Sequence, residues 1–92
     1  TLDPLEIRYF TAPAGESVRQ TISRWSRETG VQMLWTIDSD YTLPNAIEMH
    51  ATFPDAITKI LEIYADQPHR PVAEIHPNAP KGPSVLVIQK RG

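Results

Sequence analysis

Three histidines, His50, His69 and His76, are the residues whose chemistry would matter most, because neutral imidazole holds zinc and moves protons near neutral pH. A helical zinc site puts two of them on one face, four residues apart. No pair here has that spacing, so a metal site would require convergence by folding. Asp38 and Asp40, with Ser39 between them, offer carboxylate oxygens suited to calcium, but Asp and Ser in a turn ordinarily serve the backbone. Glu6, Glu48 and Glu74 fall opposite apolar positions and so toward water, whereas acid/base pairs need burial or a partner to split their pKa values. No Gly-x-Ser-x-Gly elbow or phosphate-cradling glycine loop occurs, and the absence of cysteine excludes thiol nucleophiles and disulfides. The expectation is a protein without catalysis, cofactor or metal.

Binding chemistry has more candidates. Trp25 and Trp35 could stack on a base or ligand, yet their periodic positions point inward, where each would bury roughly 200 Å². Arg19, Arg24 and Arg27 lie opposite an apolar stripe, as a docking patch or simply a solvated face. A net charge of −2 with no Lys/Arg run gives no general attraction for nucleic acid or anionic membranes. With 40% hydrophobic and 22% charged residues and no long apolar run, the composition is that of a globular domain without a membrane-spanning segment.

Two helices must position these groups. Ser17 with Gln20 forms a capping box before Val18, Ile22 and Trp25, one stripe of a 3.6-residue period, and Gly30 stops the helix. Thr52-Phe53-Pro54-Asp55 caps the second, whose stripe is Phe53, Ala56, Ile57, Ile60, Leu61 and Tyr64 before Pro68.

Period-two alternation marks the strands. Leu5, Ile7 and Tyr9 are expected to face inward in the first, against Glu6 and Arg8. Val31, Met33, Trp35 and Ile37 face one way in the next, with Gln32, Thr36 and Asp38 opposite, and Ile47, Met49 and Ala51 oppose Glu48 and His50 in the third. Val72 to Ile75 and Ser84 to Lys90 suit a hairpin joined by a proline-rich loop. The order is βαββαββ, an α+β fold. An offset of 39 residues maps Val18, Ile22 and Trp25 onto Ile57, Leu61 and Tyr64, as a duplicated βαβ unit would. Ninety-two residues make one domain, residues 1–92, with one modest core. A first residue of Thr suits a domain excised from a longer polypeptide.

Ala14-Gly15-Glu16-Ser17-Val18-Arg19-Gln20-Thr21-Ile22, followed by Trp25, Gly30, Trp35, Asp40-Tyr41, Thr52-Phe53, Asp55-Ala56-Ile57 and Leu61, resembles the toxin-coregulated pilus biosynthesis protein Q family from about Leu5 to Ile88. That resemblance implies a fold similar to the small signalling domain at the N-terminus of secretins and TonB-dependent receptors, with two helices between two small sheets. It further implies an adaptor at the periplasmic side of the outer membrane, docked to a secretin or to a channel subunit of a type IV secretion or conjugation system. The runner-up is a small regulatory domain that binds a ligand between helix and sheet.

The partner is expected to dock on the C-terminal hairpin. Pro68 to Pro83 holds five of the nine prolines, and Gln67 to Gly92 carries Arg70, Lys81, Lys90 and Arg91 against Glu74 alone. Ser84 to Lys90 is read as an open sheet edge to which a partner strand could add. Pro77, Asn78, Lys81, Val85, Val87, Lys90 and Arg91 are the expected contact residues.

Overall fold

A computed structural model describes residues 6–77 and 81–91. Its elements run β1 (Arg8–Ala12), α1 (Val18–Thr29), β2 (Gln32–Trp35), β3 (Ile47–Ala51), α2 (Phe53–Glu62), β4 (Arg70–His76) and β5 (Val85–Arg91), the βαββαββ order of an α+β fold. β1 pairs with β3 in a two-stranded antiparallel sheet, and the second sheet has the order β2-β5-β4. One core is fed by both sheets and both helices, with Phe10, Trp25, Phe53, Ile22, Ile57, Ile60, Leu86 and Ile88 all fully buried.

Helix α1 starts where Ser17 Oγ accepts the Gln20 N–H at 3.1 Å. The entry to the helix is also held by a neighbouring segment: Tyr41 O accepts the Val18 N–H at 2.8 Å, and Leu43 O accepts that of Gly15 at 2.9 Å. Backbone donors at a helix start need such acceptors, wherever in the chain they come from. Gly30 ends the helix in the left-handed region at φ 75°, which lets the Val31 N–H reach back to Ser26 O at 2.8 Å and turns Val31 into the core. In α2, Thr52 Oγ1 accepts the Asp55 N–H at 3.3 Å, and every residue of the expected stripe is buried.

Two expectations are corrected. Strand β1 has the opposite phase, with Phe10 and Ala12 buried and Ile7 and Tyr9 64% and 51% exposed; Leu5 lies outside the described residues. The register sets Phe10 opposite Met49 and Ala12 opposite Ile47, on the core face of β3, and Tyr9 opposite His50. Of two adjacent aromatics, the core takes the one without a hydroxyl to satisfy. Segment Ser84–Lys90 is not a sheet edge. β5 is the central strand, parallel to β2 from Val85 to Ile88 and antiparallel to β4 along its whole length.

The 39-residue offset also carries β1 onto β3 and places β2 within β4, while α2 begins four residues earlier than the offset predicts. β1 and β3 pair with each other, and β2 and β4 flank β5 with opposite sense. The halves are thus disposed in a two-fold-like manner about a fifth strand that has no counterpart.

Candidate interaction surface

Because paired residues on neighbouring strands share a face, the register of the three-stranded sheet decides what it shows to solvent. Leu86 and Ile88 point into the core, which turns Val85, Val87 and Gln89 outward. Leu34 stands opposite Val87 and Gln32 opposite Val85, while β4 contributes Val72, Glu74 and His76. Leu34 is 46% exposed, and Val72, Val85 and Val87 are half-buried. An apolar strip therefore crosses the outer face, bordered by Gln32, Gln89, Glu74 and His76. His76 Nε2 lies 3.2 Å from Glu74 Oε1.

Of the expected contact residues, Val85, Val87 and Arg91 share this face. Lys90 does not. It has the inward phase, opposite Pro71, and its Nζ reaches Asp38 Oδ1 at 3.2 Å, holding that carboxyl below its ordinary range. Pro77 and Lys81 lie exposed beyond the other end of β5 from Arg91, about 20 Å away along a strand of this length. Asn78 lies outside the described residues. Lys81, Lys90 and Arg91 thus do not form one patch.

The arginines of α1 divide in the same way. Arg24 NH1 pairs with Glu16 Oε2 at 2.6 Å, its NH2 donates to Thr11 O at 2.7 Å, and Glu28 lies 3.9 Å away. The Trp25 indole N–H donates to the same Thr11 carbonyl at 3.1 Å. Arg24 and the Thr21 hydroxyl hold the Glu16 carboxyl below its ordinary range against the opposing effect of burial. These bonds fix α1 to β1, so Arg24 is structural. Arg19 and Arg27 make no ion pair among the described residues, and with Ser17, Gln20, Ser23 and Met33 they line a polar groove of about 470 Å³.

Remaining candidates are absorbed by the fold. Asp40 Oδ1 accepts the N–H groups of Tyr41 and Arg19 at 2.7 and 3.1 Å, tying the turn after β2 to the start of α1. His50 stacks on Tyr9 at 4.7 Å, and the adjacent Glu48 carboxylate raises the Tyr9 hydroxyl above its ordinary value. Burial, with Asp40 and Tyr41 nearby, likewise raises Tyr64, whose hydroxyl donates to Thr42 O at 2.9 Å. Trp25 is buried as expected, but Trp35 is half-buried, its indole donating to Ser39 O at 3.1 Å at the sheet margin. Among the described residues no three His, Asp or Glu side chains converge as a metal site would require.

Residues 8–91 match the family model described as toxin co-regulated pilus biosynthesis protein Q. The chain belongs to this family. Membership implies a role in pilus biogenesis, and among the described residues no helix is long and apolar enough to cross a membrane. Comparison with curated proteins and with solved structures gives no match. The matched span covers most of the length of the fold, including the α1 entry. Leu34 was missed by alternation, although its own signal was plain: it is an apolar residue on the polar phase of β2, between Gln32 and Thr36.

Proposed function

We propose that this protein Q family domain is a non-catalytic docking module of a pilus assembly. Its partner is a secretin or secretion-channel subunit at the periplasmic side of the outer membrane, in a pilus, conjugation or type IV secretion system. The observation that carries the reading is the outer face of the three-stranded sheet, where Leu34, Val85 and Val87 stay uncovered after one core has absorbed the other large side chains of both helices. Exposed apolar groups that adjoin across strands mark interaction surfaces better than scattered ones do. Pro77 and Lys81 border one end of the face and Arg91 the other. Strand addition to β5 is ruled out along Val85–Ile88, where β2 and β4 occupy both sides, so the contact is made by side chains.

The apolar groove between α2 and β4, lined by Leu61, Ala65, Pro71 and Val72 among others, measures about 260 Å³. That is below the roughly 300–1,000 Å³ of small-molecule sites, and the larger groove along α1, about 470 Å³, is lined mainly by polar residues where such sites are mostly apolar, which favours docking over ligand sensing. The test is capture of the purified secretin or channel subunit from the same gene cluster by the immobilised chain. Leu34→Glu, and separately Lys81→Glu with Arg91→Glu, should weaken capture with the melting temperature held. Equal capture by all three proteins would remove the sheet face from the interface.

A further inference from the structure

We infer that the open edge of β2 is a second docking site, which takes an extended acidic segment of a protein partner as an added strand alongside α1. The inference rests on the proposed docking role and names the chemistry of what docks. It begins from how sheet edges are protected. Natural edges carry charges, proline or bulges that discourage indiscriminate pairing. Strand β4 has Arg70, Pro71 and Glu74, β1 has Arg8, and β3 has Glu48 and His50. Strand β2 reads Gln32-Met33-Leu34-Trp35, with neither charge nor proline.

Its backbone is available on that side. The Gln32 and Thr36 N–H groups point to β5, donating to Ser84 O and Ile88 O at 2.9 and 3.0 Å. Strand alternation then turns the N–H and C=O groups of Met33 and Trp35 the other way, where the sheet has no further strand among the described residues. Beside Met33 runs the 470 Å³ groove along α1, whose lining includes both Arg19 and Arg27. Arg24, the third cation of this helix, is already paired with Glu16. Asp40, which accepts the Arg19 backbone N–H, has its Oδ1 engaged by two backbone N–H groups.

Charge and spacing together select the occupant. Two positions eight residues apart on a helix are separated by about 12 Å along its axis. Residues four apart on a strand point the same way and are separated by about 13 Å. A strand added to β2 therefore brings two carboxylates, four residues apart on its inward phase, to Arg19 and Arg27. Its outward phase adjoins Leu34, so those positions suit apolar side chains. The ligand is an extended segment alternating acidic or polar with apolar residues.

The probe is a capped synthetic heptapeptide, Ser-Glu-Val-Ser-Val-Glu-Ser, titrated into the isotopically labelled chain and followed by amide chemical shift and hydrogen exchange. Binding is expected to slow exchange at Met33 and Trp35. Arg19→Glu with Arg27→Glu should weaken it about tenfold or more, the scale of losing two exposed ion pairs and gaining repulsion. Arg19→Gln with Arg27→Gln, a milder variant, should weaken it less and retain the circular dichroism of the parent. Two peptides N-methylated on alternate residues, one set each, should differ, since only one set removes the N–H groups that face β2. Equal binding of both methylated peptides would reduce the contact to ion pairing on α1 and overturn strand addition. No binding at millimolar peptide, or protection appearing at β4 instead, would overturn the site. Secretin capture that survives either result leaves the sheet-face reading standing, and peptide binding without secretin capture removes only the partner assignment.

Discussion

Glu16→Gln tests whether the entry to α1 is held electrostatically. The carboxylate is 13% exposed and spans two donors, Arg24 NH1 at 2.6 Å and the Thr21 hydroxyl at 2.5 Å. Glutamine keeps the shape and one acceptor but loses the charge. A hydrogen bond to a charged group contributes about 1.5–3 kcal/mol; because Arg24 is 31% exposed, screening lowers the expected loss to about 1–2 kcal/mol. For a domain of this length that is a fall of about 5–10 °C in Tm at pH 7. The sign with pH follows from the direction of the shift. The folded-state pKa of Glu16 lies below the ordinary glutamate value, so its contribution is fully present above that value and is lost as pH falls through the folded pKa. Urea melts of the parent and Glu16→Gln from pH 7 to pH 3 should therefore converge as the parent loses its advantage. A gap absent at pH 7, or undiminished at pH 3, would refute the argument and reduce Arg24 to a solvated arginine.

Trp25→Ala should cost about 3–5 kcal/mol, as for a buried aromatic, and Trp35→Ala clearly less because its ring is half-buried, so thermal melts should rank the two in that order. Ser26→Ala should leave stability unchanged or raise it by about 1 kcal/mol in denaturant melts, since the buried Ser26 Oγ has no hydrogen-bond partner among the described residues and alanine is the better helix former.

Both helices were legible because each carries a local cap and a 3.6-residue stripe; the stop was legible for α1 at Gly30, whereas α2 ends at Glu62, six residues before the expected Pro68. Gly30 is the clearest case, a single residue that ends α1 and directs Val31 inward. The phase of β1 was not legible in this way. Tyr9 and Phe10 are neighbours of similar size, and which one turns inward is settled by β3, whose Met49 and Ile47 lie some forty residues away. The candidate surface was legible in part. Val85 and Val87, in the β-prone run Ser84–Lys90, share a face with Arg91, the charge that follows it. Lys90 was grouped with them by sequence proximity, although alternation alone puts it on the opposite side from Arg91.

Strand β5 shows what local reading leaves out. Pairing order is a property of the whole sheet, and nothing in Val85-Leu86-Val87-Ile88 says which strands will lie beside it. The run did carry a usable signal, because it lacks alternation. A strand with one face in water shows polar residues at every second position, as β3 does with Glu48 and His50. An unbroken apolar run points instead to a strand with both faces covered. On β5 this composition does two things: Leu86 and Ile88 fill the core, while Val85 and Val87 remain half-buried on a face that no element of the described chain covers. A central strand in a solvated sheet has no need of valine on its outer face. Ile7, Tyr9 and Ile63 are also exposed, but singly or on the other sheet; the valines of β5, with Leu34 beside Val87 on an otherwise polar phase, adjoin across strands, which a partner's apolar side chains would explain.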